Sequence, residues 1–198
     1  MNKKFALGIS ILAFIGVIIA MIGTAIDSIS NPLLSALGTI RYFTIQSNII
    51  VGIAFLLYAL LSNSKTKSLI GASVVYITIT FLGFSIMLER LWDPEGIPLI
   101  GSTFNHYIIP VLSILYILIF RNDFYFKNDE IKKWIIYPLS YLVFLIVFGL
   151  STNDFIYPFL DLKDIGVILF IVSILVIILI FTLISYLLIS ITRKEKAS

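Results

Sequence analysis

The stretch Ile165-Gly-Val-Ile-Leu-Phe-Ile-Val-Ser-Ile-Leu-Val-Ile-Ile-Leu-Ile180 decides the fold. It carries no charge and is rich in β-branched side chains, which in water would favour a strand. In a bilayer a spanning segment must satisfy its own N–H and C=O groups, and a helix does this within one segment. The rest of the chain shows which solvent applies. It is 60% hydrophobic and 13% charged, with a mean hydropathy of +1.08. Soluble domains carry about 25% charged residues. The expectation is an all-α, polytopic membrane protein.

Working outward from this run, five more apolar segments appear. The six cover roughly 5–27, 40–62, 68–90, 104–120, 134–150 and 165–191. Each is near the ~20 residues that cross a hydrocarbon core. The sixth is long and is expected to tilt or project beyond the bilayer. The first, after Met-Asn-Lys-Lys, looks like a signal peptide, but Phe5 to Ile26 is longer than the ~7–15 residues of an h-region. Gly23-Thr24-Ala25 is also a poor cleavage site, so the segment reads as an uncleaved span. No repeat or low-complexity linker interrupts the chain, and residues 1–198 read as one six-helix transmembrane domain.

Lys and Arg set the orientation. With the N-terminus inside, Lys3, Lys4, Lys65, Lys67, Arg121, Lys127, Lys132, Lys133, Arg193, Lys194 and Lys196 all fall on the inner side. The outer side keeps Arg41, Arg90 and Lys163 beside Asp27, Glu89, Asp93, Glu95, Asp154, Asp161 and Asp164. This asymmetry in short loops predicts that both termini face the cytoplasm. A multi-pass protein of a cell membrane, bacterial plasma membrane in kind, is the expected setting.

Composition also removes whole classes of chemistry. Without cysteine there is no disulfide, thiolate nucleophile or Cys-ligated metal. With His106 the sole histidine, one chain cannot build a multi-His zinc site or a bis-His haem. No metal and no cofactor are expected. The net charge of +3 is spread over short clusters between spans, so no nucleic-acid partner is expected. The expected partners are the bilayer and a membrane lipid or fatty-acyl ester.

His106 opens the apolar run Asn105-His106-Tyr107-Ile108-Ile109-Pro110. An ionisable side chain is costly in a bilayer and marks a functional-site candidate. Span 4 is predicted to run inward from 104, which puts His106 in its first turn. Span 2 is predicted to start near Ile40, so Thr44 lies about 6 Å below its outer end at a ~1.5 Å rise per residue. The two residues then share a depth in the outer leaflet. Thr44, Ser47 and Asn48 fall on one helical face, with Arg41 on the same side. Glu89-Arg90 adds an ion pair near that level. No charged residue falls in the middle of any span, although Pro110 and Pro138 allow helix breaks in spans 4 and 5.

A hydroxyl beside an imidazole is the minimum of a nucleophile–base pair. Asn48, Ser47 and Asn105, or backbone N–H groups, are candidate substrate-binding or oxyanion donors. No carboxylate is placed by spacing to orient the imidazole. Asp161 is on the outer side, but nothing sets it near His106. A bland account stands beside this one, since Ser, Thr and Asn commonly bond helices together in membranes. The alternative reading is a non-enzymatic lipid-binding or transport protein.

Three segments carry a resemblance to a known family: Arg41-Tyr-Phe-Thr-Ile-Gln-Ser-Asn48, His106-Tyr-Ile-Ile-Pro110 and Tyr157-Pro-Phe-Leu-Asp161. Together with six spans, they resemble the bacterial Pr6Pr family of membrane proteins. That family is distantly similar to the androgen-induced membrane proteins of eukaryotes, which are intramembrane threonine hydrolases of fatty-acyl esters. The resemblance implies an intramembrane lipid ester hydrolase with Thr44 as nucleophile and His106 as general base. It transfers no further residue.

Overall fold

A computed structural model describes residues 2–192; the basic residues Arg193, Lys194 and Lys196 lie outside that range. The described residues contain helices and no strand. Six helices are long and apolar enough to cross a membrane: Lys3–Asp27, Phe43–Leu61, Ser64–Leu91, Gly96–Ile119, Glu130–Thr152 and Leu162–Thr192. The chain is an all-α polytopic membrane protein.

Two compact units divide it. The first takes the described part of residues 1–126 with Ile191 and Thr192, and the second takes Lys127–Ser190. In the first unit, α1 (Lys3–Asp27) is capped by Asn2, whose side chain accepts from the N–H groups of Lys4 and Phe5. A short helix α2 (Pro32–Gly38) leads into a 3₁₀ turn over Thr39–Arg41. Then come α3 (Phe43–Leu61) and α4 (Ser64–Gly83). Ser62 in the left-handed conformation and an Asn63–Thr66 capping box join these two tightly. Span 4 comprises α5 (Gly96–Thr103), a π-helical turn over Phe104–Ile108, and α6 (Ile109–Ile119).

α1 packs against α3 and α5, α3 against α4, and α4 against α6. On α1, Leu7, Ile11, Ile15, Ile18 and Ile22 form an exposed stripe at helical spacing, suited to lipid, while Ala6, Ile9, Ser10, Ala13, Gly16 and Val17 are buried. The buried face is rich in small residues, which let helix backbones approach closely in membranes. A Cβ on Gly101 would lie 2.8 Å from Ala20 Cα, and one on Gly16 would lie 3.0 Å from Phe104 Cβ. Ser10 Oγ donates to the Gly52 carbonyl at 2.7 Å, tying α1 to α3. At the far end of these helices, Tyr116 gathers Phe5, Phe55, Tyr58, Phe120 and Phe124 into an aromatic cluster.

The second unit contains α7 (Glu130–Trp134), α8 (Ile136–Thr152) and α9 (Leu162–Thr192) up to Ser190. The break at Ile135 follows from Pro138, which has no N–H to offer the Trp134 carbonyl. Asp161 starts α9: its carboxylate accepts from the Lys163 N–H and its carbonyl from the Ile165 N–H. Gly166, at φ 73°, then kinks that helix.

Two boundaries differ from the sequence reading in ways that matter for the site. Span 2 begins at Phe43, because extended Tyr42 (ψ 136°) separates it from the preceding 3₁₀ turn. Thr44 is therefore in the first turn of α3. Span 4 begins at Gly96 and not near 104, so His106 lies in its third turn, about 15 Å along the helix at ~1.5 Å per residue. The Gly, Pro, Ser and Thr of residues 96–103 read as a loop. In place, Pro98 occupies the first turn, where a missing N–H costs nothing, and Gly101 meets α1.

Candidate active site

Thr44 Oγ1 lies 3.2 Å from His106 Nε2. The structure brings together the two residues singled out from separate spans, although one sits in a first turn and the other in a third. Thr44 is half-buried and His106 is buried, at 7% exposure.

Local backbone chemistry explains how His106 is presented. Pro110 cannot donate to the His106 carbonyl, and the turn just before it widens to a π-helix in which the Ile109 N–H bonds the Phe104 carbonyl. A second π-turn, Phe84–Leu88, ends span 3, closed by the Glu89 N–H on the Phe84 carbonyl. Phe84 from that turn stacks on the imidazole, with ring centroids 3.7 Å apart and planes 8° from parallel. Trp92 meets the imidazole edge-on at 6.5 Å. The two wide turns thus face each other across the ring, and π-turns recur at functional sites.

Ser102, one turn before His106, places its Oγ 3.1 Å from Nδ1. Reading span 4 from 104 hid this residue. Its signal was present, since Ser102 and His106 are four apart and share a helical face. Phe84 and Trp92 had no sequence signal, because ring stacking between spans is a product of the tertiary fold.

The polar face of α3 forms as expected. Asn48 Nδ2 donates to the Thr44 carbonyl at 2.8 Å and to the Asn105 carbonyl at 3.1 Å, so both amide hydrogens are engaged. Ser47 Oγ lies 3.0 Å from the Thr44 carbonyl and 2.8 Å from Thr80 Oγ1, linking α3 to α4. Asn105 Nδ2 donates to the carbonyls of Gly16 and Gly101, both at 2.9 Å, and pins the π-turn to α1. All three residues are buried, and all three serve as ties between or along helices. Asn48 Oδ1 and Asn105 Oδ1 are buried without a partner.

Of the charged neighbours, Arg41 donates to Tyr42 Oη at 3.3 Å and lies over that ring. Glu89 accepts from Tyr107 Oη at 2.6 Å, which joins the two π-turns at their rim. No cluster of His, Asp or Glu suited to a metal ion occurs among the described residues. Among known proteins, no family model, curated sequence or solved structure matches this chain.

Proposed function

We propose that the protein is an intramembrane lipid ester hydrolase, of the kind its resemblance to the Pr6Pr family implies, acting on a fatty-acyl ester near the outer leaflet of a bacterial plasma membrane. The observation that supports this is the 3.2 Å approach of Thr44 Oγ1 to His106 Nε2, at the outer limit of the ~2.6–3.2 Å reach of a general base.

The chemistry balances with these two residues and water. Thr44 Oγ1 bonds to the ester carbonyl carbon as its proton passes to His106 Nε2. The tetrahedral intermediate expels the alcohol oxygen, which takes that proton. Water then attacks the acyl-Thr44 by the same exchange, releasing the fatty acid and restoring the hydroxyl. Thr44 lies in the first turn of α3, where backbone N–H groups have no partner within the helix and the positive end of the helix dipole lies. The N–H groups of Thr44 and Ile45 are therefore the better oxyanion donors, since the amide hydrogens of Asn48 and Asn105 are already used.

An alkyl fluorophosphonate tests the reading by phosphonylating an activated hydroxyl with loss of fluoride. The purified protein is expected to label. Thr44→Ala and His106→Ala are expected to remove the label while retaining wild-type helicity. Undiminished labelling of Thr44→Ala rejects Thr44 as nucleophile. Retention of a fatty-acyl ester without turnover supports a lipid-binding protein instead.

A further inference from the structure

We infer that the short helix α2 and its flanks, residues 28–40, form an interfacial lipid-binding element. Leu33, Leu34 and Leu37 are set into the acyl chains of the leaflet where α1 ends and α3 begins. The partner is lipid, not water and not a second protein surface. This inference is independent of the hydrolase reading.

The segment Ser28-Ile-Ser-Asn-Pro-Leu-Leu-Ser-Ala-Leu-Gly-Thr-Ile40 holds no charged residue, and Asp27 and Arg41 bracket it. The connection between spans 3 and 4, on the same side of the membrane, carries Asp93 and Glu95. Burial along 28–40 is inverted relative to a helix in water. Leu33 and Leu34 are 73% and 69% exposed, Leu37 and Ile40 are exposed, and Ile29 is fully exposed. The hydroxyls of Ser35 and Thr39 turn inward instead. Thr39 is buried and donates to the Ala36 carbonyl at 2.7 Å, while half-buried Ser35 donates to Ser28 Oγ at 2.8 Å. Exposed Ser30 and Asn31 sit together just before the helix, where headgroups and water reach them. Single exposed apolar side chains are ordinary, but a contiguous apolar patch with its hydroxyls turned inward marks an interaction surface.

Hydrocarbon offers no hydrogen bonds, so backbone groups set into it need partners within the chain. Pro32 opens α2 with no N–H to satisfy. The Ser35 N–H bonds the Asn31 carbonyl and the Tyr42 N–H bonds the Thr39 carbonyl, both at 3.0 Å. Gln46 Nε2 donates to the Ile40 carbonyl at 2.9 Å. The depth is interfacial because α2 packs on α1, and Ser35 bonds Ser28, the residue that caps α1. Ile22 and Ile26, at that end of α1, are exposed and apolar as well. Arg41, lying over the Tyr42 ring, marks where the segment meets the headgroups. Helices that pair in membranes meet through small residues. Here the small Ala36 is buried while Leu and Ile face outward, which suits acyl chains. Interfacial helices sink such a face ~5–10 Å into the headgroup–acyl boundary.

A chain without cysteine gives a clean background for the test. Leu33→Cys, Leu34→Cys and Leu37→Cys each take one nitroxide label, in the full chain, in nanodiscs of phosphatidylethanolamine and phosphatidylglycerol. Power-saturation electron paramagnetic resonance then compares collisions with oxygen, which partitions into lipid, and with a water-soluble nickel chelate. Oxygen collisions are expected to exceed nickel collisions at all three positions, as at Ile22→Cys on the exposed stripe of α1. Nickel is expected to prevail at exposed Glu95→Cys, and Asn31→Cys is expected to admit more nickel than Leu34→Cys. Nickel access at the three leucine positions equal to that at Glu95→Cys places the segment in water and overturns the inference. Low access of both reagents shows that protein covers the face, from a second copy or elsewhere in the chain, and overturns it too. Three exposed positions keep the test decisive if one variant fails to fold.

Discussion

Asn48→Asp changes shape least of any substitution at that position, yet it is expected to be far more damaging than Asn48→Leu. The reason lies in the direction of the hydrogen bonds. Asn48 is fully buried and donates both amide hydrogens to carbonyls, at 2.8 and 3.1 Å, while its own Oδ1 has no partner. Aspartate replaces both donors with an acceptor, so a carboxylate faces two carbonyl oxygens. An uncompensated buried charge costs ~3–5 kcal/mol. Leucine loses the same two bonds, and side-chain bonds between membrane helices average ~0.6 kcal/mol with a maximum near ~1.7. It also removes the stranded Oδ1, which returns about 1 kcal/mol, and it leaves little cavity. The net cost of Asn48→Leu is thus within about 1 kcal/mol. For a chain of this size, ~1 kcal/mol shifts Tm by ~2–4 °C. Thermal unfolding followed by far-UV circular dichroism should show Asn48→Asp melting roughly 6–20 °C below wild type and Asn48→Leu within roughly 4 °C. Equal shifts, or leucine as the more damaging residue, refute the argument. The same variants separate a tie from an oxyanion donor. Loss of such a donor costs ~10²–10³ in rate, whereas Asn48→Leu is expected to slow fluorophosphonate labelling less than about 10-fold.

Other outcomes follow from the same contacts. Gly101→Val puts a Cβ 2.8 Å from Ala20 Cα, a backbone atom that cannot step aside; overpacking of about 1–3 kcal/mol is expected, read as a lower Tm together with slower labelling as span 4 shifts. Phe84→Ala removes the buried ring stacked on His106 and is expected to cost ~3–5 kcal/mol. Phe84→Leu is expected to cost less but still to slow labelling, because the imidazole loses its parallel face. Trp92 and Trp134 are the two tryptophans, so Trp134→Phe leaves emission from Trp92 alone. Phosphonylation at Thr44 is expected to change that emission, and an unchanged spectrum in labelled protein would show that Trp92 does not sense the site.

Much of this molecule is written in composition and spacing, and the reason is the solvent. A bilayer leaves a run such as Ile165–Ile180 no alternative to a helix, so hydropathy alone determined six spans and an all-α fold despite the β-branched content. The same sparseness of polar groups made His106 and the Thr44-Ser47-Asn48 face visible, since few other residues compete for attention in an apolar chain. What the sequence could not determine is where a helix begins when its first turns hold Gly, Pro, Ser and Thr. Gly96–Thr103 becomes helical because Pro98 is tolerated in a first turn and Gly101 packs on α1, and only the neighbouring helix makes that favourable. Ser102 was lost with that boundary. The tertiary structure alone decided which nitrogen faces Thr44, that Phe84 covers the imidazole, and that the amides of Asn48 and Asn105 are consumed as ties. Those facts depend on the relative rotation and register of separate helices. Spacing along one chain does not encode them, because they arise from close packing at small residues and from two π-turns that shift the residues around them.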